Sequence, residues 1–144
     1  MTNSQSPLDA RIQAFIKEHH VLTLATSQNS MPWCAHCFYV FDAEYNCFYI
    51  VSDEHTRHVQ EMIENPQVAG AIVLETKNVG RLQGLQFSGA IKKLEGKEKQ
   101  RARKMYILRF PYAILTSTIL WKIEMTFAKF TDNTLGFGKK LIWE

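Results

Sequence analysis

Thr56, Arg57 and His58 place a hydroxyl, a fixed cation and a titratable imidazole side by side. They stand where the pattern predicts a helix start, after a strand over Cys47–Ser52 and the acidic loop residues Asp53 and Glu54. Asn65-Pro66 stops that helix. A threonine at such a start gives its side-chain oxygen to the free N–H groups of the first turn. Those N–H groups and the helix dipole attract anions. An arginine adds a planar fork for phosphate or carboxylate, and a histidine adds a charge that depends on pH. The chemistry on offer is anion binding. The same residues also suit an ordinary capped helix with two surface side chains.

Other constellations fit their chemistry less well. Trp33-Cys34-Ala35-His36-Cys37 has the WCxxC spacing of thiol–disulfide catalysts, which need the first cysteine at a helix N-terminus. Here the segment runs into Phe38-Tyr39-Val40-Phe41, a strand pattern that sends Cys34 and Cys37 to opposite faces. Opposed cysteines neither close a disulfide nor share a zinc ion, and no second ligand pair accompanies them. No metal site is expected. Covalent haem attachment would need histidine where Phe38 stands. Gly136-Phe137-Gly138-Lys139 lacks the glycine spacing and the following Ser or Thr of a phosphate loop.

These residues must be positioned by the rest of the chain. Ser6-Pro7-Leu8-Asp9 carries the signs of a helix start, and Leu8, Ile12, Phe15 and Ile16 recur at helical spacing. Strands are predicted over Val21–Ser27, Trp33–Phe41, Cys47–Ser52, Val68–Leu74, Gly84–Leu94 and Leu120–Phe130. In the last, Trp121, Ile123, Met125 and Phe127 alternate with Lys122, Glu124 and Thr126, so one face is buried. A helix over Glu98–Leu108 is broken by Pro111, which opens a short second helix through Leu115. Six strands with peripheral helices make one α+β domain, residues 1–144, built on an antiparallel β-barrel.

Composition sets the outer bounds. The chain has 144 residues, 46% apolar and 22% charged, the balance of a globular protein with a sizeable core. No apolar run approaches the ~20 residues of a membrane helix. The opening MTNSQSPLDAR lacks the basic start and apolar stretch of a signal peptide, and three cysteines do not make a disulfide framework. A cytoplasmic location without membrane contact is therefore expected. The net charge of +3 is uneven: residues 92–109 carry eight cations against Glu95 and Glu98. With no nucleic-acid motif beside it, that stripe reads as a solvated helix face and nucleic acid is not expected.

The strand, the Thr56-Arg57-His58 helix start and the Asn-Pro that follows resemble the pyridoxamine 5'-phosphate oxidase-like superfamily. These are FMN-binding split barrels, usually homodimers with flavin at the subunit interface. The chain, with its ending FTDNTLGFGKKLIW, looks closest to the YhbP-like family of that superfamily. The resemblance implies that Thr56, Arg57 and His58 take the places of a Ser-Arg-Lys triplet that holds the FMN phosphate. It further implies that Tyr49, Ser52 and the backbone near Ala35 line the flavin, with Gln86 in reach on the fifth strand. Two cations of the oxidase's second strand that reach the cofactor correspond to Cys34 and Tyr39 here, which places Cys34 among the cofactor-binding positions. The function implied is a flavin-dependent oxidoreductase of unknown small-molecule substrate, its catalytic residues unassigned. True pyridoxamine 5'-phosphate oxidase activity is not expected, because the basic C-terminal substrate segment is missing. The alternatives are a split barrel that binds a ligand or partner without redox chemistry, or a haem-binding one with His36, His55 or His58 as axial ligand.

Overall fold

The computed structural model describes residues 6–115 and 119–144. Seven antiparallel strands run as β1 (Val21–Gln28), β2 (Met31–Asp42), β3 (Cys47–Val51), β4 (Gln67–Val73), β5 (Gln83–Lys93), β6 (Leu120–Asp132) and β7 (Lys140–Trp143). Three α-helices accompany them: α1 (Ala10–Glu18), α2 (Arg57–Glu64) and α3 (Gly96–Arg109). Strands β1 to β6 close on themselves in the order β3-β2-β1-β4-β5-β6, with β6 returning to β3. The length of β6 explains the split. Its first half, Leu120–Glu124, seals the barrel against β3, and its second half, Ala128–Thr131, takes β7 instead.

Alternation along the strands fills the barrel with Leu22, Leu24, Phe48, Ile50, Leu85, Phe87, Ile123 and Met125. Two glycines allow the close approaches. A Cβ at Gly70 would lie 2.2 Å from the ring of Phe87, which stacks on Phe48. A Cβ at Gly89 would lie 2.2 Å from the Glu124 carbonyl oxygen, where the β5–β6 register shifts. Helix α1 contributes Ile12, Phe15 and Ile16 to the same core, and Tyr39 donates its hydroxyl to the Ile16 carbonyl at 2.6 Å. Tyr39 is thus a core residue.

Strand β3 is buried on both sides. Phe48 and Ile50 face the barrel, whereas Cys47 and Tyr49 join a second core with Ala102, Tyr106 and Phe110 from the α3 region. That is why Cys47–Ile50 reads as an unbroken apolar run. The outer faces of β2, β1, β4, β5, the end of β6 and β7 carry two cross-strand rows instead. One row is Cys34, Ala25, Ala69, Ser88 and Phe127; the other is His36, Thr23, Ala71, Gln86, Lys129 and Ile142.

Two sequence expectations change. Helix α1 starts at Ala10 with Asp9 as its cap, not at Ser6-Pro7. The Asp9 carboxylate accepts from the Arg11 amide at 2.8 Å and from its guanidinium, a better cap than Ser6 can make from outside the turn. Ser6 instead gives its carbonyl to the Trp143 indole at 2.7 Å. The tail also forms a seventh strand, entered through Gly136 (φ 136°) and Gly138 (φ 72°), a pairing too short to carry a sequence signal.

Candidate anion-binding site at the start of α2

Helix α2 begins where the sequence predicts. Thr56 is its cap and accepts the Val59 amide at 3.4 Å, and Asn65 ends it. The amides of Arg57 and His58 precede any intrahelical bond. The loop before them is built from its own acids. Asp53 accepts the His55 amide at 2.7 Å, and its carbonyl accepts the Thr56 hydroxyl at 2.8 Å. Glu54 pairs with Lys93 at 2.8 Å. The negative charge that would repel an anion is in part neutralised there.

Arg57 is held from two sides. Its Nε donates to Glu61 Oε1 at 3.1 Å, one helical turn on, and its guanidinium lies 4.0 Å above the Trp33 ring. Glu61 is buried, and its other oxygen accepts the Thr26 hydroxyl at 2.8 Å. The hydrogen bonds from Thr26 and Arg57, together with the nearby guanidinium charge, hold the Glu61 carboxyl below its ordinary range, so it is ionised. Among the described residues no protein acceptor meets the two Nη groups of Arg57, and the side chain is 50% exposed. A half-exposed guanidinium with an anchored Nε and open Nη groups is the geometry of a carboxylate or phosphate fork.

His58 turns the other way. Its Nε2 lies 2.9 Å from the Ser52 hydroxyl and 3.5 Å from that of Thr56. Burial lowers its pKa against the opposing charge of Glu61, so the ring is neutral at neutral pH. The site therefore carries one full cation, Arg57, balanced by one buried carboxylate. Ser52 is buried behind His58 and its carbonyl accepts the Trp121 indole at 3.1 Å. It supports the site without opening into it.

The other residues singled out in the sequence fall into two groups. Cys34 and Gln86 both lie on the uncovered outer face, one in each cross-strand row, and Ala35 follows Cys34 with the opposite parity. Tyr49 does not join the α2 residues. It sits one position out of phase with Ile50 and Ser52, so strand alternation sends it under α3, where its hydroxyl donates to Asp42 at 2.8 Å. Of the three histidines, His36 is exposed on the outer face with Nδ1 3.3 Å from the Thr23 hydroxyl, His55 is exposed in the loop, and His58 is committed to Ser52. Cys34 is exposed and Cys37 buried, and burial raises the Cys37 thiol. Among the described residues, no group of three metal-ligating side chains occurs. No described helix is long and apolar enough to cross a membrane.

Sequence reasoning missed Glu61, Thr26 and the role of Trp33. The four-residue spacing of Arg57 and Glu61 was a usable signal. Thr26 and Trp33, paired across β1 and β2, reach the site only through the fold.

A closed six-stranded antiparallel barrel whose last strand is shared with an added β7 is a split barrel of the pyridoxamine oxidase type. The chain belongs to the pyridoxamine 5'-phosphate oxidase family, whose profile matches residues 8–124. Among its relatives it is similar to the UPF0306 protein YhbP of Escherichia fergusonii, 46% identical over 132 residues that cover 92% of this chain and 90% of that one. Among solved structures it is similar to HutZ, the heme storage protein of Vibrio cholerae (TM-score 0.71, 20% identity, 84% of this chain and 92% of that one). It is also similar to an FAD-binding protein of Mesorhizobium loti (TM-score 0.70, 12% identity, 88% and 96%). At those identities the two structures show the fold alone.

Proposed function

We propose that the chain binds FMN as a homodimer and acts as a flavin-dependent oxidoreductase on a small molecule. The observation that carries this reading is the Arg57 fork: a guanidinium with its Nη groups open, beside the first amides of α2, at the place the family resemblance gives to the cofactor phosphate. The donor set fits an anionic tail. Arg57 supplies a charge-assisted pair, Thr56 caps the helix, and the Arg57 and His58 amides add two neutral donors. Cys34 and Gln86 then face the ring from the outer sheet face, which a second copy would cover, while Ser52 and His58 back the cradle. Tyr49 lies away from this cradle, on the α3 side of β3. When bound, the flavin supplies the hydride or electron chemistry. The protein positions it, shields it from water and needs no acid–base dyad of its own.

A second reading, haem in the same cleft, is favoured by one observation. His36 is exposed on the outer face with Nδ1 beside the Thr23 hydroxyl, which leaves Nε2 open as an axial ligand.

The test is the visible spectrum of the purified protein before and after titration with FMN, FAD and haemin, with sedimentation to measure the oligomer. Saturable quenching of FMN fluorescence by a dimer supports the first reading. A Soret shift that His36→Ala abolishes replaces it with the second. No binding of any of the three leaves a split barrel without redox function.

A further inference from the structure

We infer that Glu61, seated on Thr26, is the positioning residue of this site: it fixes Arg57 over Trp33 with the Nη pair outward before any ligand arrives. The inference rests on the cofactor reading above but concerns a residue that would never touch the cofactor. Three observations meet in it. Glu61 is 5% exposed although α2 has a whole polar side on which a glutamate could lie in water. Its two oxygens are divided, one accepting from Thr26 at 2.8 Å and the other from Arg57 Nε at 3.1 Å. Trp33 completes the cradle 4.0 Å beneath the guanidinium.

A carboxylate spent only on stability would more simply be an apolar residue beside Val59 and Met62, since burying Glu61 costs desolvation that a half-exposed arginine returns only in part. Its cost is justified if it removes the rotamer freedom of an arginine that must meet an oxyanion. Binding then need not immobilise that side chain. The arrangement also sets the charge: Glu61 cancels the net charge of Arg57 while leaving its directional donors in place. The site gains orientation and gives up long-range attraction.

Three variants separate positioning from charge and from packing. Glu61→Gln keeps an acceptor for Arg57 Nε and removes the charge. Glu61→Ala removes both. Arg57→Ala removes the fork itself. Two readouts are needed: FMN affinity by fluorescence quenching, and the Arg57 Nε–H resonance of the ligand-free protein, seen by nitrogen-15 NMR as protected or exchanging with water. Positioning predicts a protected Nε–H in the wild type and Glu61→Gln, and loss of it in Glu61→Ala. It predicts FMN binding about threefold to tenfold weaker in Glu61→Ala, the cost of ordering one long side chain, and at least wild-type affinity in Glu61→Gln.

Thr26→Val, nearly isosteric, removes the lower support alone and serves if Glu61→Ala does not fold. The expected change is the same in direction and smaller. Equal affinity in wild type and Glu61→Ala overturns the inference. So does equal tightening in both Glu61 variants, which would make Glu61 a mere repulsive charge, or equal weakening in both, which would deny rescue by the conservative change. If Arg57→Ala binds FMN as tightly as wild type, or wild type binds none, the cofactor reading fails. The Nε–H resonance still decides whether Glu61 fixes the guanidinium.

Discussion

Strand β3 separates two arginines that use the same parts to opposite ends. On the α3 side, Arg101 donates Nε and Nη2 to the buried Asp42 at 2.8 and 3.1 Å and Nη2 again to Glu44 at 2.8 Å, with the Tyr45 ring 5.0 Å away. Asp42 also accepts the Tyr49 hydroxyl. On the α2 side, Arg57 has one buried carboxylate, one ring and one donor spent. Arginine, carboxylate and aromatic ring make a bolt in the first case and, on the function proposed above, a receptor in the second. The number of donors left open distinguishes them: Arg101 has Nε and Nη2 engaged, whereas Arg57 has Nε alone engaged and both Nη groups open. A cavity of about 280 Å³ does lie beside Arg101, lined also by Tyr45, Tyr49, Lys97, Glu98 and Lys122. Its arginine is already bound on both sides, and Lys122 is tied to Glu98 at 3.2 Å.

The comparison breaks most sharply under substitution. Asp42→Ala leaves the buried Tyr49 hydroxyl without its acceptor and Arg101 without its main partner. We expect a loss of about 2–4 kcal/mol in urea-unfolding free energy, reduced from the full buried-pair cost because Arg101 is partly in water. FMN affinity in Asp42→Ala should be that of wild type wherever the protein is folded. Arg57→Ala should do the reverse. We expect FMN binding weaker by about 1.5–3 kcal/mol, the range for a charge-assisted hydrogen bond, with a smaller loss of stability than in Asp42→Ala, because Glu61 keeps the Thr26 hydroxyl and Arg57 is half in water. A large stability loss in Arg57→Ala would make it a second bolt.

Acid sharpens the same contrast, because the two sides should fail in different ranges of pH. Burial pushes the Asp42 carboxyl up, but hydrogen bonds from Arg101 and Tyr49 outweigh it and hold it below its ordinary value. Its contribution to stability is therefore complete above the unfolded carboxyl pKa of about 3.9 and is lost as pH falls through the lower folded value. His58 is depressed by burial, so the folded state prefers the neutral ring. Its contribution is complete above about pH 6.5 and declines as pH falls from there toward the folded value. Melting temperature against pH should show a shallow loss starting near pH 6.5, absent in His58→Gln, and a steeper one below about pH 4, blunted in Asp42→Asn. A single acid transition untouched by both variants would remove this pairing of site and range.

Much of this was legible in the chain. The six barrel strands and α2 with its Thr56 cap and Asn65 stop follow from local pattern, since apolar alternation and caps act over a few residues. The Cys34–Cys37 split follows from strand parity alone. Tyr49 lies under α3 and not beside the α2 residues, for a reason of the same kind. In a strand buried on both faces alternation carries no outward mark, so the sequence could not say which side of β3 Tyr49 would take. The support beneath Arg57 was only half visible. Glu61 stands at helical spacing, but Thr26 and Trp33 come from β1 and β2, and only the barrel's closure brings them under α2.

Trp33 gives the smallest and finest test, because its contact with Arg57 joins two side chains that are both about half in water. The ring is 42% exposed on a strand end, where a packing role alone would more naturally use a smaller side chain. A cation over an indole at such an exposed site is worth about 0.5–1 kcal/mol. Trp33→Ala should therefore weaken FMN binding about twofold to fivefold. Trp33→Phe should restore part of the loss, since a phenyl face attracts a cation less strongly than an indole. Tyr45→Ala, which removes the corresponding ring beside Arg101, should leave FMN binding unchanged, because that guanidinium lies on the α3 side, away from Arg57. Fluorescence titration of the three variants decides it. Equal effects from the two rings would mean that the aromatic partner steadies both arginines in the same structural way. The open donors of Arg57 would then be the only feature that sets the receptor apart from the bolt.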